Sequence, residues 1–163
     1  MSTTDLSHYD PSQVPSGEKK KVTVIVSEWN SDITFALRDG AVKTLREFGV
    51  REDDIVVRYV PGSFELLYAT AKTLQFGNCD AIIVLGSIIR GETPHFDYIS
   101  ESVMVNLGNL NTHTKQLSGS TYVPIINGVL TTNDKQQALD RAGGKLGNKG
   151  VEAAVTALKM LRF

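Results

Sequence analysis

The residues best suited to chemistry lie in four short segments at the ends of apolar runs typical of buried β-strands: three of the segments follow such a run, and the fourth lies near the end of one. In an open parallel sheet, ligands bind outside the carboxyl ends of the strands, so these segments should meet at one edge. They contain the single tryptophan of the chain, a phenylalanine, a glutamate and one of its three histidines. The segments are residues 27–30, 61–65, 86–97 and 127–128.

His95 is the strongest candidate for proton transfer. It lies in a loop that also contains glycine and threonine, whereas His8 lies in the N-terminal segment and His113 in a polar stretch. Imidazole titrates near neutral pH, which suits a general acid or base. The pattern favours a catalytic role for His95 no more strongly than a purely structural one.

The other residues at this edge also have structural alternatives. Trp29 could pack at the end of a strand, and Phe64 could belong to the core of the following helix. Glu65 could simply complement the dipole of that helix from its first turn. Only their convergence at one edge of the sheet favours a binding site.

A basic, glycine-rich segment at 141–149 contains Arg141, Lys145 and Lys149. Guanidinium groups and exposed backbone amides bind phosphate, so the segment is a candidate anion site. Basic residues at the C-terminus of a helix are an equally good interpretation. The segment 86–91 does not match GxGxxG and the chain has no GxxxxGK[ST], so neither a dinucleotide fingerprint nor a P-loop is predicted.

Alternating strands and helices must position these residues. Asn30 or Ser31 should cap the first helix and Gly49 should end it, and Pro124 favours an edge position or the start of a strand. The order predicts an α/β protein: a single three-layer α/β/α domain with a four-stranded parallel sheet and flavodoxin-like topology. The predicted strands are 22–26, 55–60, 81–85 and 123–129, and the later helices are 64–74, 97–110, 134–142 and 150–161.

Two polar segments flank this pattern. Residues 1–20 are predicted to be a flexible N-terminal arm, which leaves 21–163 as the folded domain. Residues 111–122 are predicted to be a solvent-facing extension.

Composition narrows the function classes. The chain has 163 residues, 41% hydrophobic, with a formal net charge of −1, which disfavours nucleic acid as a partner. No apolar run approaches the ~20 residues of a membrane span, and the N-terminus has no apolar signal region. Cys79 is the only cysteine, so neither an intrachain disulfide nor a cysteine-based zinc site is expected. These features predict a cytoplasmic, metal-independent domain without membrane contact.

Three segments together resemble the 6,7-dimethyl-8-ribityllumazine synthase family: residues 60–65 (VPGSFE), 85–98 (LGSIIRGETPHFDY) and 140–150 (DRAGGKLGNKG). The resemblance covers 21–163, with motifs in matching order and spacing. It implies condensation of 5-amino-6-(D-ribitylamino)uracil with L-3,4-dihydroxy-2-butanone 4-phosphate, the penultimate step of riboflavin biosynthesis. It also implies that the reaction needs no metal and no organic cofactor.

The resemblance implies a role for each matched position. Trp29 would stack on the pyrimidine, Glu65 would accept hydrogen bonds from the ribityl hydroxyls, and His95 would be the acid/base residue. Binding of the ribitylaminouracil is implied for Trp29, Ser63, Phe64, Glu65, Ser87, Ile88, Ile89 and Asn127, and binding of the butanone phosphate for Glu92, Thr93, Arg141 and Lys149.

The sequence departs from the family pattern in three places. Asn127 stands where many members have a phenylalanine that a neighbouring subunit contributes, which puts that side of the pocket in doubt. Pro94 precedes His95 where threonine or methionine is common. The segment 111–122 is longer than in compact members.

The family also implies pentamers with active sites between subunits, in some members assembled into an icosahedral shell. The short link at 143–150 favours a shell of sixty subunits, whereas Pro11 and Pro15 in the arm disfavour it. Riboflavin synthase is a further expected partner. Topology alone leaves open a flavodoxin-like flavin-binding module or a phosphoacceptor domain.

Overall fold

The computed structural model describes residues 4–114 and 122–163. Four parallel strands form its main sheet in the order β2-β1-β3-β4. This confirms the predicted parallel sheet, and it confirms Pro124 directly before an edge strand. The strands are β1 (Val22–Ser27), β2 (Ile55–Val60), β3 (Ala81–Ile89) and β4 (Ile125–Thr132).

Helices cover both faces of this sheet. Alternate residues of β1 point to opposite sides: Val24 packs with the core under α1 and α5, and Ile25 with the core under α2 and α3. The three-layer α/β/α architecture is therefore confirmed. The helices are α1 (Ser31–Glu47), α2 (Glu65–Phe76), α3 (His95–Thr112), α4 (Lys135–Asp140) and α5 (Lys149–Met160), with 3-10 turns at Pro11–Gln13 and Glu52–Asp54.

The third strand is longer than predicted. Gly86 and Ser87 suggested a loop after Leu85, but β3 continues to Ile89. The added residues pair with β4, where Ser87 lies opposite Leu130, and the Arg90 N–H donates to the Thr132 carbonyl at 2.9 Å. Pairing with β4 extends β3 through Gly86 and Ser87, although both residue types favour turns, and local sequence does not show which strand will pair there.

Asn30 occupies the N-cap position of α1, as predicted, but the cap is made by its backbone carbonyl, which accepts from the N–H of Ile33 at 2.9 Å, and not by its side chain. Asn30 lies at the N-cap position in a left-handed conformation, with φ 59° and ψ 46°, and its side chain makes no capping hydrogen bond. Instead, its Nδ2 donates to the Ser87 carbonyl at 3.2 Å, which joins the ends of β1 and β3. Asparagine tolerates this conformation better than most residues.

The link between the last two helices is a hairpin. Strands β5 (Ala142–Gly144) and β6 (Gly147–Asn148) pair antiparallel, and Gly143 and Gly147 have positive φ values, which glycine adopts without strain. Asn148 then caps α5, because its Oδ1 accepts from the N–H of Gly150 at 2.8 Å. Its Nδ2 also donates to the Ala36 carbonyl at 3.0 Å, which ties the hairpin to α1.

The described part of the N-terminal arm lies against the domain. Val14 is buried, the Gly17 N–H donates to the Phe48 carbonyl at 2.6 Å, and the Tyr9 ring lies 5.9 Å from that of Phe48. The arm is thus anchored at its middle, and its flexibility stays a prediction.

Much of the predicted polar extension lies outside the described residues, which omit 115–121. In the described ranges, no helix combines the length and apolar character needed to cross a bilayer.

Candidate active site

A cavity of about 500 Å³ lies at the carboxyl edge of the main sheet. It forms where segments after β1 and β2 meet the end of β3 and the start of α3. Nine of the thirteen predicted site residues line it: Trp29, Ser63, Phe64, Glu65, Ser87, Ile88, Ile89, Thr93 and His95.

Trp29 forms an exposed aromatic wall. Hydrogen bonds between the segments that follow β1 and β2 fix its backbone, with the Trp29 N–H donating to the Pro61 carbonyl at 3.0 Å. Its side chain is 66% exposed and lies against Gly62. A tryptophan that served only to pack a strand end would be largely buried, so the indole face is available to a flat ligand.

Phe64 and Glu65 form the adjoining wall at the start of α2. Phe64 is 50% exposed, so the interpretation of it as helix core is wrong. The Glu65 Oε2 accepts from the Gly62 N–H at 3.1 Å, whereas its Oε1 makes no hydrogen bond with any described residue. Glu65 thus supports the N-terminus of α2, as its structural alternative required, and still presents an acceptor oxygen to the cavity.

Buried serines and the end of β3 form the floor. Ser63 and Ser87 are 8% and 5% exposed. The Ser87 Oγ is buried and has no hydrogen-bond partner among the described residues, and the same is true of Ser27 Oγ. Of these two hydroxyl groups only that of Ser87 belongs to a residue that lines the cavity, and an unsatisfied hydroxyl there favours a polar ligand or bound water.

The loop that contains His95 is clamped from both sides. Arg90 and Asp97 form a bidentate ion pair, with Nη2–Oδ1 at 2.8 Å and Nη1–Oδ2 at 3.2 Å, and the Arg90 guanidinium lies 4.2 Å from the Phe96 ring centroid. Hydrogen bonding from Arg90 holds the pKa of Asp97 below its usual value. His95 is exposed at the first turn of α3. The clamp therefore restricts the segment that aims His95 into the cavity.

Four predicted site residues do not line this cavity. Glu92 is exposed in the same loop, although its neighbour Thr93 does line the cavity. Asn127 is exposed on β4, where its Nδ2 donates to the Met104 sulfur at 3.0 Å. The remaining two, Arg141 and Lys149, lie at the hairpin between α4 and α5.

Arg141 and Lys149 share one carboxylate. The Arg141 Nη2 donates to the Glu152 Oε1 at 2.8 Å, and the Lys149 Nζ to the Glu152 Oε2 at 2.9 Å. Arg141 and Glu152 are both buried, and the Arg141 Nε is buried without a partner among the described residues. Arg141 follows the last residue of α4, as its helix-end interpretation predicted. Arg141 and Lys149 thus give this cluster two cations to one carboxylate, and guanidinium and ammonium groups are side chains that bind phosphate.

Sequence reasoning missed four residues that line the cavity: Asn30, Gly91, Phe96 and Ile99. Asn30, Gly91 and Phe96 lie in the segments predicted to meet at this edge, but none of them was singled out as a site residue. Ile99 follows His95 by four residues, so a start of α3 at His95 instead of Asp97 would have placed the two on the same face of the helix. In the described ranges, no group of three or more histidine, cysteine, aspartate or glutamate side chains lies close enough to hold a metal ion.

Residues 19–163 match the family model described as 6,7-dimethyl-8-ribityllumazine synthase. Three relatives carry the same description. The protein from Porphyromonas gingivalis is 49% identical over 156 residues, covering 96% of this chain and 92% of the relative. The protein from Bacteroides fragilis is 50% identical over 143 residues, covering 88% of this chain and 95% of the relative. The protein from Phocaeicola vulgatus is 45% identical over 159 residues, covering 98% of this chain and 90% of the relative.

Proposed function

We propose a role for each residue of this site from one premise: the chain belongs to the 6,7-dimethyl-8-ribityllumazine synthase family. It is a transferase of riboflavin biosynthesis. It condenses 5-amino-6-(D-ribitylamino)uracil with L-3,4-dihydroxy-2-butanone 4-phosphate to 6,7-dimethyl-8-ribityllumazine, phosphate and water.

The observation that carries the proposal is the pairing of exposed aromatic rings with a free carboxylate oxygen around one cavity. Trp29 stacks on the flat pyrimidine, and Phe64 closes the adjoining wall. Glu65 accepts hydrogen bonds from the ribityl hydroxyls through its Oε1. Ser63, Ser87, Ile88 and Ile89 contact the pyrimidine edge from the floor. Stacking of this kind contributes about 0.5–1.5 kcal/mol beyond area burial.

His95 moves protons during the condensation. The 5-amino group attacks the ketone carbonyl, and loss of water gives an imine. Elimination then releases phosphate, and the ribitylamino nitrogen closes the second ring with loss of water. Each step transfers protons to or from nitrogen, oxygen or carbon, so a positioned imidazole suffices without covalent catalysis.

Residues that lie away from the cavity complete it from a neighbouring subunit. Asn127, Arg141 and Lys149 do not line the cavity of their own chain, and the cavity leaves Trp29 and Phe64 half-exposed or more. Arg141 and Lys149 of one subunit bind the phosphate ester held at Glu92 and Thr93 of the next, and Asn127 contacts the pyrimidine edge. A charge-assisted contact from Arg141 also stabilises the departing phosphate.

Subunit mixing tests this arrangement. The variants His95→Ala and Arg141→Lys are each assayed alone and then co-assembled in equal amounts, with lumazine fluorescence as the readout. If sites form between chains, about a quarter of the sites in a random mixture combine an intact His95 with an intact Arg141, so activity returns. If each chain forms its whole site alone, the mixture stays at the mean of the two variants.

The activity itself is tested by mixing the two substrates with the protein and following the fluorescent lumazine. Product formed no faster than without protein would refute the assignment. The three relatives reported above are all lumazine synthases, so they give no support to the flavin-binding alternative.

Assembly into a shell of sixty subunits rests on the hairpin at Ala142–Asn148. It joins α4 to α5 with only two residues between its strands, Lys145 and Leu146. A longer insertion there would obstruct contact between pentamers. Negative-stain microscopy in phosphate buffer at neutral pH tests the shell, and discrete pentamers without hollow spheres would refute it. Riboflavin synthase as a partner and the cytoplasm as location stay predictions.

A further inference from the structure

We propose that Gly62 is a positioning residue for the reaction, because its lack of a side chain seats the Trp29 indole and aims the Glu65 carboxylate. The inference rests on the proposed roles of Trp29 and Glu65 in binding the ribitylaminouracil. Gly62 itself does not line the cavity.

Gly62 lies beneath both cavity walls. A methyl group built on its backbone would lie 2.7 Å from Cε3 and from Cζ3 of Trp29, and 2.9 Å from Oε2 of Glu65. Carbon atoms in contact normally stay about 3.5–4.0 Å apart. An alanine at this position would therefore push the indole away by about 1 Å or displace the carboxylate.

Backbone conformation gives no separate reason for glycine here. Among the glycines that the structure describes, those with positive φ values are Gly49, Gly143 and Gly147, and Gly62 is not one of them. An alanine could adopt the same backbone, so the cost of the substitution falls on the two side chains that approach Gly62. This separates Gly62 from a glycine retained for turn geometry.

Hydrogen bonds hold the Trp29 backbone and the Glu65 carboxylate close to Gly62. The Trp29 backbone is held by its hydrogen bond to Pro61, and the Glu65 Oε2 accepts from the N–H of Gly62 itself. A methyl group would press on the ring and strain the same hydrogen bond that orients Glu65. Gly62 thus sets the separation between the stacking surface and the hydroxyl-binding oxygen.

The test compares Gly62→Ala with the control Gly108→Ala. Gly108 lies on α3, and a methyl group there would meet no atom within 4 Å. Trp29 is the only tryptophan, so its emission reports the indole environment without any substrate. We expect Gly62→Ala to shift this emission and to raise the KM for the ribitylaminouracil about tenfold or more, with little change in the KM for the butanone phosphate.

A double-variant cycle separates positioning from general damage. In a Trp29→Leu background the smaller side chain leaves room for the methyl group, so Gly62→Ala should raise the KM by much less than it does beside tryptophan. Equal effects in both backgrounds, or unchanged emission in Gly62→Ala, would overturn the inference. If Trp29→Leu alone leaves the KM unchanged while Gly62→Ala shifts the emission, the stacking role of Trp29 fails instead.

Discussion

Replacing Glu152 with glutamine should destabilise the protein far more than the same change at a surface glutamate. The side chains of Arg141 and Glu152 are only 6% and 7% exposed, and their charged atoms lie 2.8 Å apart. Glutamine keeps the shape of the side chain but removes the charge. The Arg141 guanidinium would then remain buried, with Leu146 as its other described hydrogen-bond acceptor.

The expected loss of unfolding free energy follows from the burial of this ion pair. Breaking a buried ion pair by removing one partner costs about 3–5 kcal/mol, because the remaining charge is uncompensated. Glutamine still offers a carbonyl oxygen to Arg141, so we expect the lower end, about 3 kcal/mol. For a domain of this size, about 3 kcal/mol corresponds to a fall in Tm of about 6–12 °C.

Glu47→Gln is the matched control. Glu47 faces Lys43 at 3.8 Å with half of its side chain exposed, and such surface pairs contribute about 0–1 kcal/mol. Both variants are unfolded in urea at one protein concentration, because assembly makes apparent stability depend on concentration. If the two midpoints differ from the wild type by the same amount, the reasoning about the buried pair is wrong.

Three further predictions concern the site. His95→Ala should slow lumazine formation, by less than the usual ~10²–10⁴-fold because the uncatalysed reaction contributes. The control His113→Ala changes a histidine outside the cavity and should leave the rate unchanged. Equal rates for the two variants would remove His95 from the mechanism. Arg141→Lys can still pair with Glu152, but it should raise the apparent KM for the butanone phosphate about tenfold, because a charge-assisted hydrogen bond contributes ~1.5–3 kcal/mol. Equal inhibition of the variant and the wild type by inorganic phosphate would contradict a role of Arg141 in phosphate binding. Because Arg90 lowers the pKa of Asp97, their ion pair stabilises the fold above the ordinary aspartate pKa of about 3.9 and is lost as the pH falls below it. The Tm difference between wild type and Asp97→Asn should therefore close on acidification, and a constant difference from pH 6 to pH 3 would refute the clamp.

The sheet and its layers could be predicted because hydrophobic periodicity records burial directly. The β-branched run at 22–26 and the apolar run at 81–85 specify strands covered on both faces. The helical spacing of Ile33, Leu37, Ala41, Leu45 and Phe48 predicts one apolar face on α1. The first four are buried, whereas Phe48, just beyond the end of the helix, is only partly buried. Gly49 follows the helix with a φ of 91°, as expected of a residue that ends it.

What could not be predicted depends on contacts between distant residues. The helical spacing of Phe64, Leu67, Ala71 and Leu74 predicts an apolar stripe on α2. Leu74 is buried as this predicts, but the other buried positions of the helix are Leu66, Thr70 and Thr73. Thr70 can be buried because its hydroxyl donates to the Leu66 carbonyl at 2.7 Å, so a polar residue occupies a core position.

The candidate site was predicted unevenly for the same reason. Residues that follow strands, such as Trp29 and His95, could be located from topology. Whether Arg141 and Lys149 reach the cavity of their own chain depends on the packing of α4, the hairpin and α5, which no local pattern encodes. The burial of Arg141 against Glu152 came only from the structure.

The packing of α1 against α5 also sets an order of events during synthesis. Leu37 and Leu45 of α1 are covered by Ala154 and Leu158 of α5, about 100 residues later in the chain. At ~5–20 residues per second, the ribosome needs roughly 5–20 s to supply that cover. The face under α2 and α3 is complete earlier, so a nascent chain carries one finished and one open hydrophobic face. A ribosome stalled before residue 149 would hold an intermediate whose exposed apolar face favours aggregation. The face is covered only when all twelve residues of α5 have been synthesised.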